Sequence, residues 1–174
     1  MKSPHLEQPV LLYPDGSAAR LIEVALAEVG YKEGPANNET KFQDGHLPWC
    51  GAFLNWCARK AKVQVPNCIS TIDGANAFIH LKQWHADPRI GDFVFFDFIE
   101  DNQTVIQHIG LVLRVSETQI VTVEGNTSKA GSQANGGEVV IKTRKLGPHS
   151  FVVGYGRPIY TASAPLPERP TKEN

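Results

Sequence analysis

The chain has 174 residues, of which 41% are hydrophobic and 20% charged, and its formal net charge is −1. These values are typical of one globular domain with a substantial core, and neither a basic face nor a basic run indicates nucleic acid as a partner. No apolar run reaches the roughly 18 residues of a membrane-spanning helix, so we expect no membrane insertion.

The three cysteines form an odd number without a C-x-x-C pair, which argues against a disulfide framework and a structural zinc site. The six histidines lack a metal-ligand spacing such as H-x-x-x-H, so we expect no metal and no other cofactor. The N-terminal segment has no apolar core of the signal-peptide kind, and we expect synthesis without a Sec-type export signal.

The first part of the chain predicts an arm, a helix and a loop. Prolines interrupt residues 1–16, which we expect to form an arm, and Ser17 then caps an amphipathic helix over 18–29. A long polar loop over 30–48 follows. Loops of this length are usually functional or disordered.

Two further helices are predicted, over 50–62 and 72–84, and after Pro88 the period becomes that of strands. The predicted strands are 92–98, 108–115, 119–125, 138–143 and 151–155. Because helices come first and antiparallel strands second, the sequence predicts an α+β fold, with N-terminal helices packed on a sheet of five to six strands. The proline-rich segment 161–174 is expected to be a flexible tail or linker, which leaves 17–160 as the domain.

The start of the second predicted helix presents a candidate nucleophile. Cys50 lies at the N-terminal end of an apolar stripe formed by Phe53, Leu54, Cys57 and Ala61. A thiol at this position feels the positive end of the helix dipole, which favours the nucleophilic thiolate. Because the stripe faces the protein body, Cys50 would point at another element, where a base is needed. The alternative is a small buried apolar residue, the usual role of a free cysteine.

Polar side chains on the first predicted hairpin are candidate partners of Cys50. A three-residue loop, 116–118, would pair His108 with Asn126 and make Glu124 the diagonal neighbour of His108 on the same face. A two-residue loop without a bulge would put His108 and Glu124 on opposite faces. In the predicted register, His108 accepts the proton of Cys50, and Glu124 or Asn126 orients the imidazole.

Four motifs follow one another along the chain: Trp49-Cys50-Gly51-Ala52-Phe53, Gly91-Asp92-Phe93-Val94, His108-Ile109-Gly110-Leu111-Val112 and Val123-Glu124-Gly125-Asn126. They resemble the CHAP amidase/peptidase domains of the wider NlpC/P60-like, papain-like group, and the resemblance covers residues 18–160. The segments Glu33-Gly34-Pro35 and Gly154-Tyr155-Gly156-Arg157-Pro158 are similar to the peptidase domains of endolysins from phages of actinobacteria.

The resemblance implies a peptidoglycan hydrolase that cleaves an amide bond in the stem peptide or cross-bridge, or acts as an N-acetylmuramoyl-L-alanine amidase. It makes Cys50 the nucleophile, His108 the general base and Glu124 the third member, with Asn126 as a neighbouring polar group or the orienting residue instead. Some CHAP domains bind calcium through acidic residues before the cysteine. Because this chain has only Asp44 there, no structural calcium is expected.

Two neighbours of the candidate residues are predicted to contact substrate. Gly110 would leave room for the substrate backbone. Trp49 would line the cleft and stack on substrate, but its sequence context fits a core tryptophan equally well. The loops 30–48 and 125–137 are expected to flank the groove. The expected protein is a monomer, made in the host cytoplasm and active on the bacterial cell wall after release.

Other functions fit parts of this pattern. A secreted or effector amidase of bacterial origin would share the motifs, and a non-catalytic wall-binding module would share the fold. A papain-like protease or transferase that acts on proteins would share the nucleophile and the base. A metal enzyme is the weakest alternative because the histidines lack ligand spacing.

Overall fold

The computed structural model describes residues 13–130 and 133–167 of the chain. In these residues the helices are α1 (Ala18–Leu26), α2 (Cys50–Lys60) and α3 (Thr71–His80). The strands are β1 (Trp84–His85), β2 (Phe93–Phe96), β3 (His108–Val115), β4 (Gln119–Thr127), β5 (Glu138–Lys145) and β6 (Val152–Gly156). They form one antiparallel sheet in the order β1-β6-β2-β3-β4-β5. The predicted α+β class is confirmed.

Helix α1 begins and ends for local reasons that the sequence indicates. The Ser17 hydroxyl accepts a hydrogen bond from the Arg20 backbone N–H at 3.0 Å, as expected of an N-cap. The helix ends three residues before the predicted end, because the backbone N–H groups of Glu28 and Val29 bond to carbonyls three residues back, as in a 3₁₀ turn.

Helix α3 ends earlier than predicted, and the chain then enters a strand that the sequence analysis missed. The backbone of Lys82 is left-handed, with φ of 59°, so the helix cannot continue through it. Trp84 and His85 then form the edge strand β1 against β6. A two-residue strand is too short to show an alternating pattern, so the sequence predicts helix up to Trp84.

The sheet has two apolar faces. One packs against the helices, where the predicted α2 stripe is fully buried against strand residues such as Ile109 and Leu111. The other face carries a smaller cluster, with Phe96, Val112 and Ile120 at its centre. The alternation predicted for β3, with Val112 on one face and Ile109 and Leu111 on the other, is therefore observed.

The β3–β4 hairpin differs from the predicted register near its tip. Val115 pairs with Ile120 instead of Gln119, and the Ser116 N–H donates to the Gln119 carbonyl, so the loop has two residues. A bulge at Leu113 then restores the predicted register, and Leu111 pairs with Val123. The predicted three-residue loop was wrong, but His108 and Glu124 lie on the same face of the sheet, as predicted.

The two ends of the described chain meet on one side of the domain. The Thr161 N–H donates to the Gly16 carbonyl at 3.0 Å, and the Gly16 N–H donates to the carbonyl of Ala61 at 2.7 Å. Most of the predicted arm, residues 1–12, and the end of the predicted tail, 168–174, lie outside the described residues. Among the helices in the described part of the chain, none is long and apolar enough to cross a membrane.

Candidate active site

Cys50 is the first residue of α2 and is 5% exposed. Its position depends on close packing of the next residue, since a Cβ at Gly51 would lie 1.7 Å from the Cys68 carbonyl oxygen. Asn55 holds that neighbouring segment: its side chain donates to the Pro66 carbonyl at 2.9 Å and accepts from the Cys68 N–H at 2.8 Å. The helix start is thus fixed against the chain that follows the helix.

The other two cysteines differ from Cys50 in their surroundings. Burial raises the pKa of the Cys57 thiol far above its usual range. Burial, with a smaller contribution from the nearby Cys50, raises the pKa of Cys68 to about 12. Both thiols therefore stay neutral near pH 7, which leaves Cys50 as the candidate nucleophile.

His108 is the first residue of β3 and is fully buried. A hydrogen bond of 2.9 Å joins its Nε2 to Oε2 of Glu124. Its Nδ1 has no hydrogen-bond partner among the described residues. Burial alone would lower the pKa of His108, but the side chains of Cys50 and Glu124 beside the ring raise it to about 9. The ring is therefore protonated near pH 7, with Nδ1 free for the Cys50 side.

Glu124 is fully buried in β4 and receives several donors. In addition to His108, the Thr122 hydroxyl donates to Oε1 at 2.6 Å, and Arg144 donates from Nε to Oε1 at 2.9 Å and from Nη2 to Oε2 at 2.5 Å. Burial alone would raise the pKa of this carboxyl, but the hydrogen bonds and charges of Arg144 and His108 lower it to about 2. Glu124 is therefore ionised near pH 7.

Among the described residues, no hydrogen bond joins Asn126 to His108. Its backbone is left-handed, with φ of 56°, at an irregularity in the β4–β5 pairing. The side chain instead accepts from the Gly137 N–H at 3.2 Å and reaches Asn135 at 3.5 Å. Of the two predicted partners of His108, Glu124 makes the contact, whereas Asn126 holds the loop after β4.

Gly110 does not leave space for a substrate. A Cβ at Gly110 would lie 2.8 Å from Cγ of Glu124, so the absence of a side chain makes room for the carboxylate that bonds His108. Gly110 is also buried. The predicted substrate contact is corrected to a packing role, which the register of the two strands explains.

Trp49 also lies in the core and not at the cleft surface. It is 0% exposed, and its indole N–H donates to Oε2 of Glu33 at 2.6 Å. A residue without exposed surface cannot stack on a substrate, so the core alternative holds. Through Glu33, whose backbone N–H bonds to the Gly137 carbonyl at 2.9 Å, the loops 30–48 and 125–137 meet each other.

Sequence reasoning missed Arg144. The predicted fourth strand ended at residue 143, two residues too early, since β5 continues to Lys145. Arg144 pairs with Ile120 across β4 and β5, and so lies on the face that carries Thr122 and Glu124. Extending the strand to residue 144 would have placed Arg144, two residues beyond Lys142, on this face. The described residues contain no group of three His, Cys, Asp or Glu side chains that could hold a metal ion.

These features define an α+β protein with a buried cysteine–histidine–carboxylate site. Residues 42–126 match the family model of the CHAP domain, and this stretch contains Cys50, His108 and Glu124. This match agrees with the resemblance to CHAP domains that the motifs indicate. Members of this family are usually cysteine peptidases or amidases.

Among solved structures, the chain is similar to a protein from Staphylococcus aureus subsp. aureus Mu50, described as similar to a lipoprotein of the NLP/P60 family. The sequence identity is 15% and the TM-score 0.49. The match covers 85% of this chain and 43% of that protein, so this chain spans less than half of its length. Comparison with curated protein sequences finds no significant match.

Proposed function

We propose that this chain is a peptidoglycan hydrolase that cleaves an amide bond by a thiol mechanism. The observation that carries the proposal is the arrangement of Cys50 at the start of α2 beside His108, whose Nε2 is held by Glu124 at 2.9 Å. A nucleophile, a base and a group that orients the base are the components of acyl transfer. The CHAP family match supports peptidoglycan as the substrate class.

In the proposed first step, the Cys50 thiolate attacks the carbonyl carbon of the amide and forms a C–S bond. The negative charge moves to the carbonyl oxygen, where backbone N–H groups in the first turn of α2 are available as donors. Protonated His108 gives the proton on Nδ1 to the leaving nitrogen as the C–N bond breaks. The products of this step are a free amine and a thioester on Cys50.

In the second step, neutral His108 removes a proton from water at Nδ1, and the hydroxide attacks the thioester carbonyl. The C–S bond breaks, the carboxylic acid leaves and the thiolate–imidazolium pair is regenerated. Glu124 stays ionised throughout, because its pKa of about 2 keeps it from accepting the imidazole proton. Its part is to hold the ring with Nδ1 directed at the reacting atoms.

We further propose that the protein acts as a phage endolysin on the cell wall after release from the host cytoplasm. The support is the likeness of the segments Glu33-Gly34-Pro35 and Gly154–Pro158 to endolysin peptidase domains. Zymograms on peptidoglycan and on casein separate this proposal from a protease that acts on proteins. Mass spectrometry of the soluble fragments identifies the bond, since each candidate cleavage leaves a different new terminus.

The test of the mechanism is Cys50→Ala on purified peptidoglycan. The release of soluble fragments should fall on the order of 10³-fold or more, because the covalent step is removed. Cys57→Ala is the matched control, since it deletes a thiol on the same helix outside the site and should retain activity when folded. Full hydrolysis by folded Cys50→Ala would refute the proposal.

A further inference from the structure

Arg144 is nearly buried and contacts other side chains in addition to its carboxylate partner, Glu124. Its side chain is 8% exposed and bonds both oxygens of Glu124 through Nε and Nη2. Its Nη1 donates to Oε1 of Gln133 in the loop between β4 and β5. The guanidinium lies 4.9 Å from the ring centre of Phe96 and 5.0 Å from that of Phe98, so aromatic faces cover it. Its position is fixed from three directions.

Arg144 supplies the permanent positive charge beside the buried Glu124 carboxylate. A buried carboxylate without a compensating charge is unfavourable and shifts towards protonation. The guanidinium stays protonated in proteins and donates to both oxygens of Glu124. The charge of His108, the other cationic partner, depends on pH.

We propose that Arg144 is a positioning residue of the active site, which keeps Glu124 ionised and fixed so that Glu124 can hold the His108 ring towards Cys50. The proposal rests on the proposed function, because it concerns the same site. Arg144 contacts neither Cys50 nor His108 through any hydrogen bond of the described residues, and it acts on the reaction through Glu124.

The other titratable groups around Glu124 do not replace Arg144. His108 faces Glu124 from β3 and is itself the group to be oriented. Lys142 lies on the same strand as Arg144, and burial and the charge of Arg144 lower its pKa. Cys50 on α2 lies beside His108 and carries no permanent positive charge. Lysine would be a poor substitute at position 144, since one ammonium cannot match both carboxylate oxygens in the planar geometry of guanidinium.

The experiment compares Arg144→Met with Arg157→Met, which removes a second bidentate arginine. Arg157 follows β6 and bonds both oxygens of Asp92, just before β2, at 2.9 Å. Both variants should lower the thermal midpoint. Only Arg144→Met should lower kcat for peptidoglycan, by about 10-fold or more at neutral pH, with KM little changed. Its acidic limb in the pH–rate profile should move up by about one unit or more, because Glu124 now titrates.

Arg144→Lys should restore part of kcat and move the acidic limb back towards that of the wild type. In Arg144→Met combined with Glu124→Gln, the limb assigned to Glu124 should disappear, since glutamine does not titrate. If Arg144→Met does not fold, the profile of Arg144→Lys decides, and a profile identical to that of the wild type overturns the proposal. A folded Arg144→Met that behaves like Arg157→Met also overturns it, because the role is then structural.

A readout without substrate separates this inference from the proposed function. The rate of Cys50 alkylation by iodoacetamide is measured against pH and resolved by peptide mass spectrometry. The pH profile of this rate should shift in Arg144→Met and match that of the wild type in Arg157→Met. If the wild type fails to cleave peptidoglycan while this shift is present, the proposed substrate is wrong and Arg144 still supports the site. Cleavage by the wild type with no shift in either variant refutes the role of Arg144 alone.

Discussion

Two arginine–carboxylate pairs of the described residues have nearly the same bidentate geometry. Arg157 bonds both oxygens of Asp92 at 2.9 Å and joins β6 to the chain just before β2. Arg144 bonds both oxygens of Glu124 and joins β5 to β4. In each pair the carboxylate is almost fully buried, at 1% for Asp92 and 0% for Glu124.

The two pairs differ in what else the carboxylate contacts. Asp92 also accepts a hydrogen bond of 2.7 Å from the backbone N–H of Arg89, which fixes a turn. Glu124 instead accepts from the side chain of His108, whose protonation state changes with pH. The same ion-pair geometry therefore fixes a turn in one place and holds a titratable histidine in the other. The two arginines differ in the third partner of the carboxylate and not in the pair itself.

Removal of each carboxylate should give the largest separation between the two pairs. We expect Glu124→Ala to lower the free energy of unfolding by about 3–5 kcal/mol, because Arg144 is left buried and unpaired. Asp92→Ala should cost less, about 1–3 kcal/mol, because the Arg157 side chain is 19% exposed and water can solvate it. Urea unfolding measures both values.

Activity gives the second half of this comparison. At a temperature where both variants are folded, Glu124→Ala should lose almost all hydrolysis of peptidoglycan, whereas Asp92→Ala should stay within a few-fold of the wild type. Loss of specific activity in folded Asp92→Ala to the level of Glu124→Ala would contradict the division of roles.

The pH dependence of stability should also distinguish the pairs. The pKa of Glu124 is lowered from 4.5 to about 2, so its contribution is present above pH 4.5 and is lost as pH falls towards 2. The pKa of His108 is raised from 6.5 to about 9, so its contribution is complete below pH 6.5 and is lost as pH rises through 9. The stabilisation by the cluster should therefore be largest between pH 4.5 and 6.5.

Denaturant unfolding at pH 6 and pH 9 measures the alkaline loss, which has a slope of at most about 1.4 kcal/mol per pH unit. Glu124→Gln should flatten this slope, since the partner that raises the pKa of His108 is removed. Asp92→Asn should leave the slope as it is in the wild type. Equal slopes in the wild type and Glu124→Gln would mean that His108 is not coupled to Glu124.

The sequence predicted where Cys50 and His108 lie in the fold, because each residue begins an element that local signals identify. Cys50 follows the predicted helix start, and His108 opens an apolar strand. The facing of His108 and Glu124 was also right, although for an incomplete reason. The loop is one residue shorter than predicted, and the bulge at Leu113 shifts the register back by one residue. No local pattern in the sequence of β3 predicts this bulge.

Sequence-based prediction failed for residues whose role depends on tertiary contacts. Trp49 and Gly110 stand beside the site in sequence, but burial and the side chain of Glu124 occupy the space that a substrate contact would need. Arg144 lies 20 residues from Glu124 along the chain and meets it only through the register of two strands. Position along a strand predicts a face, whereas the partner on that face depends on the whole sheet.

The smallest expected difference between the two regions comes from two buried glycines. A Cβ at Gly110 would lie 2.8 Å from Cγ of Glu124, and a Cβ at Gly156 would lie 2.4 Å from Cδ2 of Phe78. Each alanine substitution should cost about 1–3 kcal/mol of stability through overpacking. Gly110→Ala should also reduce kcat, because the strain is relieved by moving Glu124 away from His108. Gly156→Ala displaces a core ring and should leave kcat unchanged.

The measurement is the pH–rate profile together with the unfolding midpoint of both variants. For Gly110→Ala we expect a lower kcat across the whole profile without a matching increase in KM, since the substitution disturbs the orientation of the base. If Gly110 contacted the substrate backbone instead, KM would rise while kcat at saturating substrate stayed near that of the wild type. That outcome would restore the substrate contact predicted from the sequence, and it would show that Glu124 can move aside without releasing His108.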